Sequence, residues 1–300
     1  MPCYSAYGLV VDSDIDLPEL VQVVGAADVA IRLGSVPVVE HKATLREEYV
    51  FNNDCGAFRI RDGCEILVEL KPCAAPQVVR LLLLGRVMAF LLRQRGWLPL
   101  HSSAVMIDRQ GVLFLGPSGT GKSTTASAFY RSGHAVIADD VAAVMAGSGR
   151  CVIQPGQSRV RLLEDSGYLL AGLHARPPEF QLDKLSYHLA DHGVRDLIPL
   201  QRIYVLETGE EFATERLSGV CATALLANHS FVKRTRSQIS VLKEHLRHCA
   251  AVASMVPVYR LVRPSGLSRL ADLVQLVEDE IRTEGSLATH CLAVDAAVQD

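Results

Sequence analysis

The sequence predicts an α/β protein. A β-rich N-terminal domain over about residues 1–75 precedes a P-loop domain over 76–284, and a weakly patterned tail at 285–300 is expected to be flexible. Three observations predict this order. Short β-branched and aromatic runs, separated by turn formers, fill the first seventy-odd residues. An apolar strand, a glycine-rich loop and a helix-forming run follow one another from Gly111 to Arg131. Strand and helix patterns then alternate as far as about residue 283.

Taken in order, AYGLVVDSD, DVAIRL, EYVFN, AFRIRD and EILVEL read as strands, with turns at Asn52-Asn53-Asp54 and Asp62-Gly63. Pro72 and Pro76 close this region. A helix is expected from about Pro76 to Arg95, with proline at its start and Gly96 as its stop. This apolar segment is not read as a membrane span: Arg80, Arg86 and Arg93 interrupt it, and charge in a bilayer core is costly. LHSSAVMI and GVLFLG read as strands joined by a turn at Asp108 to Gly111. HAVIADDVAAVMA holds two more strand candidates, and RIYVLET another. Helical patterns run from about Ser218 to Ala250, then come a strand from Pro257 and a helix from Ser268 to Thr283.

The 300-residue chain is 49% apolar and 21% charged, with a formal net charge of -3, the profile of a globular protein with a large core. No global basic field argues for nucleic acid, and no membrane partner is expected. The eight cysteines form no C-x-x-C pair, and the chain shows no signal peptide. Reduced thiols in a cytoplasmic setting are therefore expected. A homo-oligomer is left open.

Gly116-Pro117-Ser118-Gly119-Thr120-Gly121-Lys122-Ser123 matches G-x-x-x-x-G-K-[ST] in full, and Thr124 opens the helix behind it. Glycines let successive N–H groups turn around an anion, and the new helix offers it a positive N-terminus. This predicts a nucleotide-binding site over Gly116 to Thr124. Lys122 would neutralise the β- and γ-phosphates, and Ser123 would place its hydroxyl on Mg²⁺. Asp139 and Asp140 end the apolar strand AVIA, 17 and 18 residues after Lys122. One acid can serve the metal. The other is then available to take a proton from an acceptor hydroxyl. If LHSSAVMI and GVLFLG pair through their turn, His101, 21 residues ahead of Lys122, falls near the loop end of its strand, where it is either a structural histidine or one that orients an acid.

The stretch LHSSAVMIDRQGVLFLGPSGTGKSTTASAFYRSGHAVIADDVAAV strongly resembles the HPr kinase/phosphorylase superfamily. A histidine precedes the loop, and A-D-D follows an R-S-G-H turn containing Arg131, Gly133 and His134. The resemblance is tight over about residues 97–146. It implies a fold akin to phosphoenolpyruvate carboxykinase and ATP- and Mg²⁺-dependent transfer to a serine hydroxyl. It implies Asp140 as proton acceptor, Asp139 and Ser123 as metal groups, and His101 as support for the base. The family's L-E-I-R-G-L-G-I segment, which supplies another carboxylate, is missing. The nearest stretch is SRVRLLEDSGYL, where Glu164 or Asp165 could substitute. The opening YSAYGLVVDSDIDLPEL, the long helix and LPLHSSAV resemble the branch found with lasso-peptide biosynthesis. That branch implies a serine-bearing ribosomal precursor peptide as partner. HPr itself is the alternative acceptor, and a nucleotide-sensing module is the alternative of a different class.

Weaker groupings complete the reading. Lys233-Arg234-Thr235-Arg236 reads as a basic turn that could close over phosphates. Asp183-Lys184 falls where an acceptor loop could sit. His245 and Cys249 share a helix face beside His248, a weak zinc pattern. Arg260 and Arg263 could pair with acids or approach nucleotide.

Overall fold

The computed structural model describes residues 2–37, 43–156, 159–170, 175–176, 184–189, 194, 196–232 and 238–297, without the side chains of 164, 165, 168, 175, 176, 184, 188 and 284–297. Lys233 to Arg236, Asp183 and the side chains of Lys184, Glu164 and Asp165 therefore lie outside the described residues.

The N-terminal strands are β1 (Cys3–Ala6), β2 (Leu9–Ser13), β3 (Val21–Gln22), β4 (Val29–Leu33), β5 (Glu47–Asn52), β6 (Gly56–Arg61) and β7 (Glu65–Leu70). They form one seven-stranded sheet in the order β3-β1-β2-β4-β7-β6-β5. The expected strand AYGLVVDSD is in fact part of a hairpin. Tyr7 and Gly8 both take positive φ, 51° and 70°, as a tight two-residue turn requires, and reverse the chain between β1 and β2. Alternation then buries Val11, Ile31, Val50, Phe58, Ile60, Ile66 and Val68 on one face.

The expected helix covers that face. It runs as α1 (Pro76–Leu82), a π-helical turn at Leu83–Val87 and α2 (Met88–Gln94). Leu83, Leu84, Val87, Met88, Leu91 and Leu92 pack into the same core as the strands. Each such burial contributes about 1.5–3 kcal/mol before entropy is charged. Two of its arginines face the first sheet: Arg80 donates to Glu19 at 2.8 Å and Arg93 to the Thr44 carbonyl at 2.9 Å. Arg86 is exposed. No described helix is long and apolar enough to cross a membrane.

The central sheet contains β8 (Leu98–Leu100), β9 (Ser102–Ile107), β10 (Gln110–Leu115), β11 (Ala135–Ala138), β12 (Ala142–Gly147) and β13 (Arg150–Gln154). The expected strand LHSSAVMI splits at His101, because β8 pairs with β12 whereas β9 pairs with β10. The β9–β10 turn has Asp108 and Arg109 at φ 47° and 64°, another tight hairpin. Two further strands, β14 (Arg159–Leu163) and β16 (Lys184–His188), flank β15 (Ala175–Arg176) in sequence and join it in a separate three-stranded sheet. The long β17 (Ile198–Gly209) pairs with β13 through its first residues and lies parallel to β10 further on. β18 (Ala213–Arg216) and β19 (Val258–Pro264) extend the central sheet to nine strands among the described residues.

Helices cover both faces of this sheet. Leu113 and Leu115 share a core with Ala222 and Leu226 of α4 (Gly219–Asn228) and Cys249 and Val252 of α5 (Ile239–Met255). Val112 and Phe114 point the other way, onto Phe129 of α3 (Lys122–Arg131) and Leu273, Val277 and Ile281 of α6 (Leu270–Ala297). A strand buried on both faces explains the unbroken apolar run VLFL. The α6 backbone stays helical to Ala297, beyond the Thr283 end read from the pattern.

Candidate active site

β10 delivers the glycine-rich loop at its C-terminal end, and α3 starts from it. Gly121 precedes the helix at φ 89°, a left-handed conformation that favours glycine. No side chain caps the helix, so its first N–H groups are left for another acceptor. A Cβ on Gly121 would stand 2.2 Å from an Arg263 nitrogen. Arg263 braces the loop, donating to the Thr120 carbonyl at 3.2 Å. Arg260 points elsewhere, pairing with Glu215 at 2.7 Å and Glu207 at 3.2 Å. Lys122 Nζ donates to the Gly116 and Pro117 carbonyls at 2.8 and 3.1 Å, and Thr120 Oγ1 to Pro117 at 2.9 Å.

The two acids arrive from β11, which pairs with β9 at the hairpin's side. Ser103 and Ser123 donate their hydroxyls to Asp139 Oδ1 at 2.5 and 3.0 Å, and the Arg161 N–H donates to Oδ2 at 3.2 Å. Burial, with repulsion from Asp140, pushes the Asp139 carboxyl up; those hydrogen bonds oppose the rise without cancelling it. A serine hydroxyl against a carboxylate is a set of hard oxygen donors that suits Mg²⁺.

Asp140 is differently placed. Its side chain is 44% exposed, and its Oδ1 lies 3.2 Å from His101 Nε2. Burial pushes its carboxyl up, but the His101 hydrogen bond and charge, then Arg161 and Arg159, hold it below the usual range. Its φ is 74°, a left-handed conformation that costs a non-glycine residue energy and that neighbours must maintain. Two neighbours come from the N-terminal region. The buried Tyr7 hydroxyl donates to the carbonyl of Val141, the next residue, at 3.0 Å. Gly85, in the π-helical turn, leaves room beside the carboxylate; a Cβ there would stand 3.4 Å from Asp140 Oδ2. His101 is held through its backbone, whose N–H donates to the His229 carbonyl at 2.7 Å.

His101, Ser118, Gly119, Gly121, Lys122, Ser123, Thr124, Asp139 and Asp140 thus line one cleft of about 300 Å³. Gly116, Pro117 and Thr120 shape the loop behind it. Sequence reasoning missed Ser103, Tyr7, Gly85 and the strand β14, from which Arg161, Leu162 and Leu163 complete the lining. The signal in β14 is its alternation: SRVRLL sets arginines against aliphatic residues immediately before the acids Glu164 and Asp165. His134 bonds Glu278 of α6 at 2.8 Å. His245 contacts Ser230 Oγ at 2.9 Å, and among the described residues no three or more His, Cys, Asp or Glu side chains gather to hold a metal there or elsewhere.

No protein-family model matches the sequence, and no curated protein matches it. Among solved structures, the Hpr(Ser) kinase/phosphatase from Coxiella burnetii is similar over 65% of this chain and 97% of that one, at 15% sequence identity and a TM-score of 0.34.

Proposed function

We propose that this chain is an ATP- and Mg²⁺-dependent serine kinase whose acceptor is a peptide or small protein. The observation that carries the reading is the division between adjacent acids. Asp139 is tied into the loop through Ser123, whereas Asp140 faces the cleft beside His101. A site that only bound nucleotide has no use for the second carboxylate.

Ser123 and Asp139 are the residues that would hold Mg²⁺, which would screen the phosphate charge. The α3 amides and Lys122 take the negative charge of the β- and γ-phosphates. Asp140, kept ionised by His101, accepts the proton of the acceptor hydroxyl. The serine oxygen bonds to the γ-phosphorus, the bond to the bridging oxygen breaks, and ADP leaves with its electron pair. The N-terminal sheet forms a recognition domain. The sequence resemblance makes a lasso-type precursor peptide the first acceptor to try, with HPr as the alternative.

The test is incubation with ATP, Mg²⁺ and candidate serine peptides, followed by intact-mass measurement. A phosphate increment on a peptide serine is expected. Loss of ATP to water at the same rate with and without every acceptor would refute transfer.

A further inference from the structure

The strand β14 carries a charge arrangement that the reaction above leaves unused. Val160 and Leu162 are buried in the core, at 0% and 1% exposure, so Arg159, Arg161 and Leu163 share the opposite face. Arg161 and Leu163 line the cleft beside Asp140. Arg159 continues the row away from the loop, where the charges of Glu19, Asp139 and Asp140 act on it. Burial pushes its guanidinium below the usual arginine range.

Among the described residues neither guanidinium makes an ion pair or a side-chain hydrogen bond. The nearby acids are already engaged: Glu19 with Arg80 at 2.8 Å, Asp139 with two serines, and Asp140 with His101. The acids that act on Arg159 are thus shared with other partners, and a largely desolvated guanidinium with no direct ion pair among the described residues favours a ligand anion beside it. The nucleotide does not supply the anion for Arg159. Its phosphates are provided for by the loop amides and Lys122, and Arg159 is not among the residues that line the cleft with them.

We propose that Arg159 and Arg161 form a carboxylate seat for the acceptor, so that the preferred serine stands next to an acidic group. This rests on the kinase reading for its purpose, but it can be tested without transfer. Two acetylated, amidated peptides of equal length would be compared, one with a central serine flanked by glutamates and the other by glutamines. Binding to the Mg-ADP-loaded protein would be measured by calorimetry. A third peptide, with the serine last and its α-carboxylate free, separates side-chain from chain-end carboxylates.

The wild type should prefer one carboxylate-bearing peptide by roughly tenfold or more, the scale of one charge-assisted hydrogen bond. Arg159→Gln should erase that preference while changing Mg-ADP affinity less than twofold. Arg159→Lys, which keeps the charge, should retain part of it and controls for misfolding. Equal binding of all three peptides, or no detectable binding of any, overturns the seat. So does a matching loss of Mg-ADP affinity in Arg159→Gln, which would assign the cation to nucleotide. A binding preference without any phosphate transfer would keep the seat and sink the kinase reading.

Discussion

The two walls of the cleft are built in different ways. The loop wall comes from one contiguous stretch, Gly116 to Thr124, with Asp139 delivered soon after by the neighbouring strand. The Asp140 wall is assembled from parts far apart in sequence: Tyr7, Gly85, His101, Asp140 and the arginines of β14. One wall offers unpaired main-chain amides at the start of a helix, which any sequence with the right glycines supplies. The other positions a single carboxylate in a disfavoured backbone conformation, which needs support from several elements. Walls built so differently should let phosphate binding and proton transfer be separated by mutation.

The largest expected effect is on the second wall. Asp140→Asn should slow transfer by roughly 10²–10⁴-fold, the usual weight of a general base, with Mg-ATP affinity retained. Calorimetry beside a radiolabel assay checks both halves, and retained transfer would move the base elsewhere. On the loop wall, Lys122→Ala should lower turnover by roughly 10²–10³-fold and weaken ATP binding as well. If the two variants lost affinity and rate in the same proportion, the walls would not be independent.

Acidification tests what holds the second wall. His245 backs Ser230, which follows His229, the residue holding the His101 backbone. Burial pulls the His245 imidazole from its ordinary 6.5 down to about 4. The unfolded chain therefore binds the extra proton first. The stability this neutral side chain contributes is complete above pH 6.5 and is lost between there and about pH 4. The loss should be on the order of 3 kcal/mol. Thermal melts across that window should show it, and His245→Gln should flatten that part of the profile. A wild-type-like slope in the variant would remove His245 as the cause.

The smallest effect sharpens the comparison most. Tyr7→Phe removes one buried hydrogen bond to the Val141 carbonyl and should cost about 1 kcal/mol of stability. Because that bond braces the residue after Asp140, kcat should fall several-fold while ATP affinity stays. A drop in ATP affinity alone would mean that Tyr7 serves the loop wall.

The loop, its helix and the pair of acids were legible because their chemistry needs particular residue types at short spacing. The hairpin at Asp108 and Arg109 was legible for the same reason, and it puts His101 at the loop end as expected. The Tyr7-Gly8 turn was not, since AYGLVV reads as one unbroken apolar strand run. Arg159 and Arg161 were not legible as site residues, because an arginine on a strand looks the same whether it faces water or a pair of acids.

The order of residues alone fixed the glycine-rich loop and the candidate metal groups, since backbone conformation and nearest-neighbour spacing are local properties. Folding alone brought Asp140 beside His101, supplied what holds it in a left-handed conformation, and set which cations surround it. Those outcomes depend on pairing between segments more than a hundred residues apart, such as Tyr7 with Val141, and no local pattern encodes that approach.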